Sequence, residues 1–207
     1  MLKLFWYCLG IGKEEQIGEK EQNFVSDNLD KLSSLLKTPL VGITLEAKPL
    51  PPRLVEVVNS VYESWCNHDW PFSYFCKQIR NKLDSLDLKG MPLLVYCKNN
   101  STLAKAAVKQ DSLAKWGLTH DYYFVSAVYE PDNKYLLWHE ALHLFDACDC
   151  YCYYNPENHA GSNCELSNCI MQYAPTKETV GEWPFLCQKN IKRIQAWSKK
   201  HKLNDIA

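Results

Sequence analysis

Surplus charge is missing from this chain: 23 Lys and Arg stand against 24 Asp and Glu, a formal net charge of -1. Without a basic excess there is no electrostatic footprint for nucleic acid, and none is expected as a partner. Long apolar runs are missing too. The opening segment MLKLFWYCLGIG is broken by a lysine and ends at the charged run from Lys13. It is too short for a membrane span and lacks the small-residue cleavage site of a signal peptide, so no membrane partner and a cytoplasmic location are expected. There is no Gly-rich phosphate loop, no nucleophile elbow and no internal repeat.

What is present is apolar, aromatic and rich in sulfur. Hydrophobic residues make up 46% of the 207 positions and charged residues 23%, a composition that folds around a core. That length suits one compact unit, read here as an N-terminal lobe over 1–145 and a C-terminal lobe over 146–207. Ten cysteines form an even set that fits either a disulfide framework or thiolate metal ligands. Cys8, Cys66, Cys76 and Cys97 fall in apolar stretches and read as packing residues.

Hydrophobic spacing predicts a strand at 2–9, a helix at 13–37 with Phe24, Val25, Leu29, Leu32 and Leu36 near one face, and a strand at 40–45. Helices follow at 53–66 and 70–86, then strands at 91–97 and 122–129. Pro131 and Asp132 open the next helix. About thirty residues dense in Cys, Asn and Tyr lack periodicity, and a last helix covers 183–200. The basic stretch near its end reads as charge complementing a helix C-terminus.

The helix after Pro131 carries His139-Glu140-Ala141-Leu142-His143, an HExxH pattern. Residues four apart share a helix face, so both imidazoles can reach one zinc ion, and Glu140 beside them can take a proton from a water on the metal. A catalytic zinc needs a third protein ligand and one open position. Asp149, six residues after His143, is the foremost candidate. His159, Glu165, Glu178 and the thiols of Cys148 and Cys150 are its rivals.

The segment HEALHLFDACD, from His139 to Asp149, resembles the elongated zinc motif of the metzincin metallopeptidases, HExxHxxGxxH or HExxHxxGxxD. That family has Gly where this chain has Asp146, and Asp is among the few other residues that tolerate a left-handed backbone. CIMQY at 169–173 resembles the family's Met-turn, which implies that Met171 lies under the metal as a floor. It also implies that Tyr173 donates a hydrogen bond to the oxyanion. The fold implied is α/β or α+β: a mixed sheet with helices over the active helix, and a smaller C-terminal part with the Met-turn and a final helix.

A second resemblance is to archaemetzincins, whose cysteines follow the third ligand and precede the Met. Cys150 and Cys169 match, Cys187 lies near the expected CxxC, and Cys152 or Cys164 would complete a four-thiolate structural zinc. Disulfides among Cys148, Cys150, Cys152, Cys164, Cys169 and Cys187 are the alternative. The activity implied is zinc-dependent hydrolysis of a peptide or protein substrate. Two other readings stand beside it: a non-catalytic cysteine-rich zinc module, and a metallopeptidase whose third ligand is Glu178 or Glu182.

Overall fold

The computed structural model describes residues 1–9, 18–68, 71–86, 92–97, 117–120, 125–128, 133–150, 168–172 and 175–201. Strand β1 is Leu2–Leu9, and its apolar residues point to both sides. Leu2, Leu4, Trp6 and Cys8 enter one hydrophobic cluster, whereas Phe5, Tyr7 and Leu9 face another. A strand apolar on both faces belongs inside a parallel sheet covered on both sides. That is its place: with β2 (Leu45–Pro49), β3 (Leu93–Cys97), β4 (Gly117–His120) and β5 (Val125–Val128) it forms a mixed sheet of order β2-β1-β3-β5-β4. All neighbours are parallel except β4, which runs antiparallel to β5 at one edge.

Six helices occur among the described residues. Helix α1 (Glu19–Leu36) buries Val25, Leu29, Leu32 and Leu36, with Phe24 partly covered beside them, along the stripe that its spacing implied. Helices α2 (Pro52–Cys66) and α3 (Phe72–Asp84) each begin directly after a proline and fill the opposite face with Leu54, Val58, Trp65, Phe75 and Ile79. Helix α4 (Lys134–His143) lies on the α1 side, and every residue from Tyr135 to Leu142 is buried. A helix enclosed all round is a central element, and this one carries the HExxH pattern. A single turn, α5 (Lys177–Val180), is closed by a capping box between Thr176 and Thr179, and α6 (Gln188–Lys200) packs Ile191, Ile194 and Trp197 into the same cluster as β1 and α4. One core therefore runs across the boundary at residue 145.

Several elements differ from the sequence reading. The run at 40–45 is not the second strand, because Gly42 has a φ of 64° and the Val41 and Gly42 N–H groups both bond to Thr38 O. The backbone there turns off α1, the β-branched Val41 and Ile43 serve as core plugs, and the ladder with β1 begins only at Leu45. The last helix starts at Gln188 and not at 183, since Pro184 interrupts it and Phe185 bridges to Cys169. Asn133 caps α4, accepting from the N–H groups of Tyr135 and Leu136 at 3.1 Å; Pro131 and Asp132 lie outside the described residues. Strand β4 and helix α5, four residues each, were not anticipated.

Helix α4 is tied to α1 by a buried polar contact. Trp138 Nε1 donates to Asn28 O at 2.7 Å, and the Asn28 side chain donates to Phe24 O at 2.8 Å. Trp138→Phe keeps an aromatic ring but removes the indole donor, a loss of about 0.5–1.5 kcal/mol for the hydrogen bond in addition to the smaller ring's lost packing. Urea denaturation of the variant should show it; a change near zero would mean that this contact contributes nothing net.

Candidate metal centre

His139 and His143 sit one turn apart at the end of α4, and each ring is oriented by a backbone carbonyl. His139 Nδ1 lies 3.0 Å from Ile170 O and His143 Nδ1 lies 2.8 Å from Ala147 O. A carbonyl can only accept, so both Nδ1 atoms carry the proton and both Nε2 atoms present lone pairs. Those Nε2 atoms are 3.0 Å apart.

The chain then turns back to add a carboxylate. Ala147 N–H bonds to Leu142 O and Asp146 N–H to His143 O, the paired hydrogen bonds of a Schellman motif, around Asp146 at a φ of 71°. Asp146 is the one described non-glycine residue with positive φ, and it stands where the resembling motif has glycine. The turn delivers Ala147 O to His143, and two residues later places Asp149 Oδ1 3.1 Å from both His139 Nε2 and His143 Nε2. Two lone pairs and a carboxylate oxygen thus form a nearly equilateral triangle in a largely buried place.

Such an arrangement is repulsive unless a cation joins it. Tetrahedral zinc with bonds of about 2.0–2.1 Å sets its ligand atoms about 3.3 Å apart, close to the observed edges. A proton is the lesser substitute. Burial pushes the His143 imidazolium down, but the hydrogen bond and charge of Asp149, with Glu140 and the Ala147 carbonyl adding to them, raise it to about 9. Burial alone would raise the Asp149 carboxyl, yet the two histidines hold it well below the usual carboxylate range. Asp149 Oδ1 is buried and gains a hydrogen bond only when one of those rings takes a second proton.

Glu140 is buried at 5% exposure, next along the helix from His139, and its charge acts on His143. Met171 is fully buried in a turn closed by Gln172 N–H to Cys169 O, and its neighbour Ile170 is the residue that orients His139. Tyr173, Cys152, Cys164, His159 and Glu165 lie outside the described residues. Glu178 and Glu182 are exposed, Glu182 facing Lys177 at 3.9 Å, and neither belongs to the histidine group.

A second group of potential ligands consists of three thiols. Cys150 Sγ is 3.7 Å from Cys169 Sγ and 3.8 Å from Cys187 Sγ, all three buried and none in a disulfide. A tetrahedron with Zn–S bonds of about 2.3 Å has edges of about 3.8 Å. Either group could hold a metal ion. Cys148 is partly exposed and outside the cluster; Cys8 and Cys76 are packing residues, burial pushing the Cys8 thiol up to about 12 and Cys76 well above its ordinary value.

Sequence reasoning did not reach Asn190. It is fully buried, accepting from Cys148 N–H at 2.8 Å and donating to Cys148 O at 2.9 Å. Nor did it reach the two carbonyls that set the tautomers, since Ile170 O and Ala147 O depend on backbone placement and not on residue type.

Comparison with family models, with curated proteins and with solved structures returns no match.

The raised His143 value has a direction in pH. In protein held in chelator, the His143–Asp149 interaction contributes fully below the ordinary histidine value of 6.5 and is lost as pH rises to about 9. The melting temperature should therefore gain a downward component over that interval. Asp149→Asn should remove this component; an identical slope in the variant would show that the pair does not titrate this way.

Proposed function

We propose that the chain is a zinc-dependent peptidase of the metzincin type, with His139, His143 and Asp149 as the metal ligands and Glu140 as the general base. The observation that carries this reading is the triangle of Nε2, Nε2 and Oδ1 atoms at 3.0–3.1 Å next to a buried glutamate. Two neutral imidazoles and one carboxylate leave a divalent site with one net positive charge and one open coordination position, as a hydrolytic centre requires.

When bound, zinc supplies Lewis-acid polarisation of the scissile carbonyl and acidifies a water. The rest falls to the chain. Glu140 takes the proton of the attacking water and passes it to the leaving amine as the C–N bond breaks. Its burial favours both roles, because a carboxylate with little water around it exchanges its proton with the reacting groups. Ile170 O and Ala147 O keep the histidines in the tautomer that offers Nε2, and outer partners of this kind commonly set affinity as much as the ligands do. By the resemblance, Tyr173 donates to the oxyanion and Met171 floors the site. Strand β4 is an outer strand of the sheet on the side of α4, where an extended peptide could add as a further strand.

The sulfur separations support a second, structural zinc at Cys150, Cys169 and Cys187, completed by a further ligand such as Cys152. In this reading the cysteine-rich module and the peptidase are one protein, with the thiolate centre closed and the histidine centre open. The exposure of Glu178 and Glu182 favours Asp149 over either as third ligand.

Glu140→Gln should retain zinc and lower peptide-library turnover by about 10²–10⁴-fold; full activity in that variant would refute the role of Glu140. Asp149→Ala should lose metal at this centre while Glu178→Ala keeps it. Elemental analysis of reduced protein should give two zinc ions per chain in the wild type and one in the double variant His139→Ala, His143→Ala. One zinc ion in the wild type and none in the double variant would end the thiolate-zinc reading.

A further inference from the structure

Cys187, Asn190 and Arg193 recur every three residues at the start of α6 and so lie along one side of the helix. Each reaches the short segment that bears Asp149. Cys187 meets Cys150 through sulfur, and Asn190 pairs with both backbone groups of Cys148. Arg193 takes hold of the turn itself: its Nε donates to Asp146 O at 2.6 Å and its Nη2 to Asp146 Oδ1 at 2.7 Å.

The turn is where the ligand set is vulnerable. A left-handed backbone is disfavoured for an L-residue, and relaxation of Asp146 to a negative φ would redirect Ala147, which orients His143, and Asp149, which supplies the third ligand atom. A guanidinium bound to the carbonyl and the carboxylate of one residue selects that residue's backbone and side-chain angles together. Lysine, with a point charge in place of a planar fork, cannot reproduce both contacts.

We propose that Arg193 is a positioning residue for the metal centre: by gripping Asp146 at both oxygens it holds the left-handed turn in a chain that lacks glycine there, and so sets Asp149 against the two histidines. This rests on the metal-site reading above and adds to it a specific dependence on α6. Arg193 touches neither metal nor substrate in this scheme, and its partly exposed ion pair contributes little to global stability.

The test is Co²⁺ titration of the full-length chain in reducing buffer, with chelator competition for affinity. The ligand-field absorption of the histidine centre is isolated by subtracting that of the double variant His139→Ala, His143→Ala. Arg193→Ala should weaken Co²⁺ at this centre by about tenfold or more and change its ligand-field bands. Arg193→Lys should fall between, and Asp146→Gly combined with Arg193→Ala should recover affinity, because glycine adopts the turn unaided. Wild-type affinity and spectrum in Arg193→Ala, or no recovery in the double variant, overturns the proposal while leaving the metal site intact. If the wild type shows no Co²⁺ signal that depends on His139 and His143, the metal-site reading fails and this inference falls with it.

Discussion

Two imidazole lone pairs and a carboxylate oxygen, each about 3 Å from the other two, cannot share a buried space without positive charge between them. Both rings have spent their Nδ1 protons on carbonyls, so neither can relieve the crowding by donating to the other. An extra proton on His143 neutralises part of it, which is why that ring holds its proton to about pH 9. A divalent ion would satisfy all three atoms at once. Much of the surrounding architecture reads as the means by which an unfavourable cluster of acceptors is kept in place.

Those means divide between a rigid and an irregular part. The rigid part is α4, buried on every side, joined to α1 by Trp138 and seated on the sheet beside β5. A helix fixes the spacing of His139 and His143 by its own geometry, so two of the three clustered side chains need little further support. The irregular part must bring Asp149 from beyond the turn and Ile170 from another stretch of chain. Here the backbone lacks a regular ladder, and side chains replace it: Asn190 pairs with Cys148, Cys150 N–H bonds to Met171 O, and Phe185 flanks the Met-containing turn through Asn168 and Ile170.

The cysteine cluster sits where these irregular segments meet. Cys150 follows Asp149, Cys169 precedes Ile170, and Cys187 opens α6, so three sulfur atoms at one point join the Asp149 segment, the turn that orients His139 and the final helix. A metal bound there would cross-link those loops that lack hydrogen-bonded regularity. The two groups would then be mechanically related although chemically distinct, one of thiols and the other of imidazoles and a carboxylate.

Residue type and local spacing determined the parts of this protein that depend on short-range geometry. A spacing of four between two histidines on an apolar helix specifies a shared helix face, and the apolar run of 2–9 and the helical stripe of 24–36 specify what is buried. The left-handed Asp146 was legible through the resemblance, whose motif has glycine there, because Asp is one of the few other residues that accept that backbone. Where the second strand begins was not, since the β-branched run at 40–45 serves equally as a strand or as a capped turn, and pairing with β1 settles the matter at Leu45. Only the tertiary structure decided that Asp149 meets the histidines while Glu178 stays in solvent, that three cysteines far apart in sequence converge, and that Asn190 and Arg193 bond to Cys148 and Asp146. Each of those facts is a contact between distant segments, and a backbone carbonyl or a helix face carries no mark in the sequence of what it will touch.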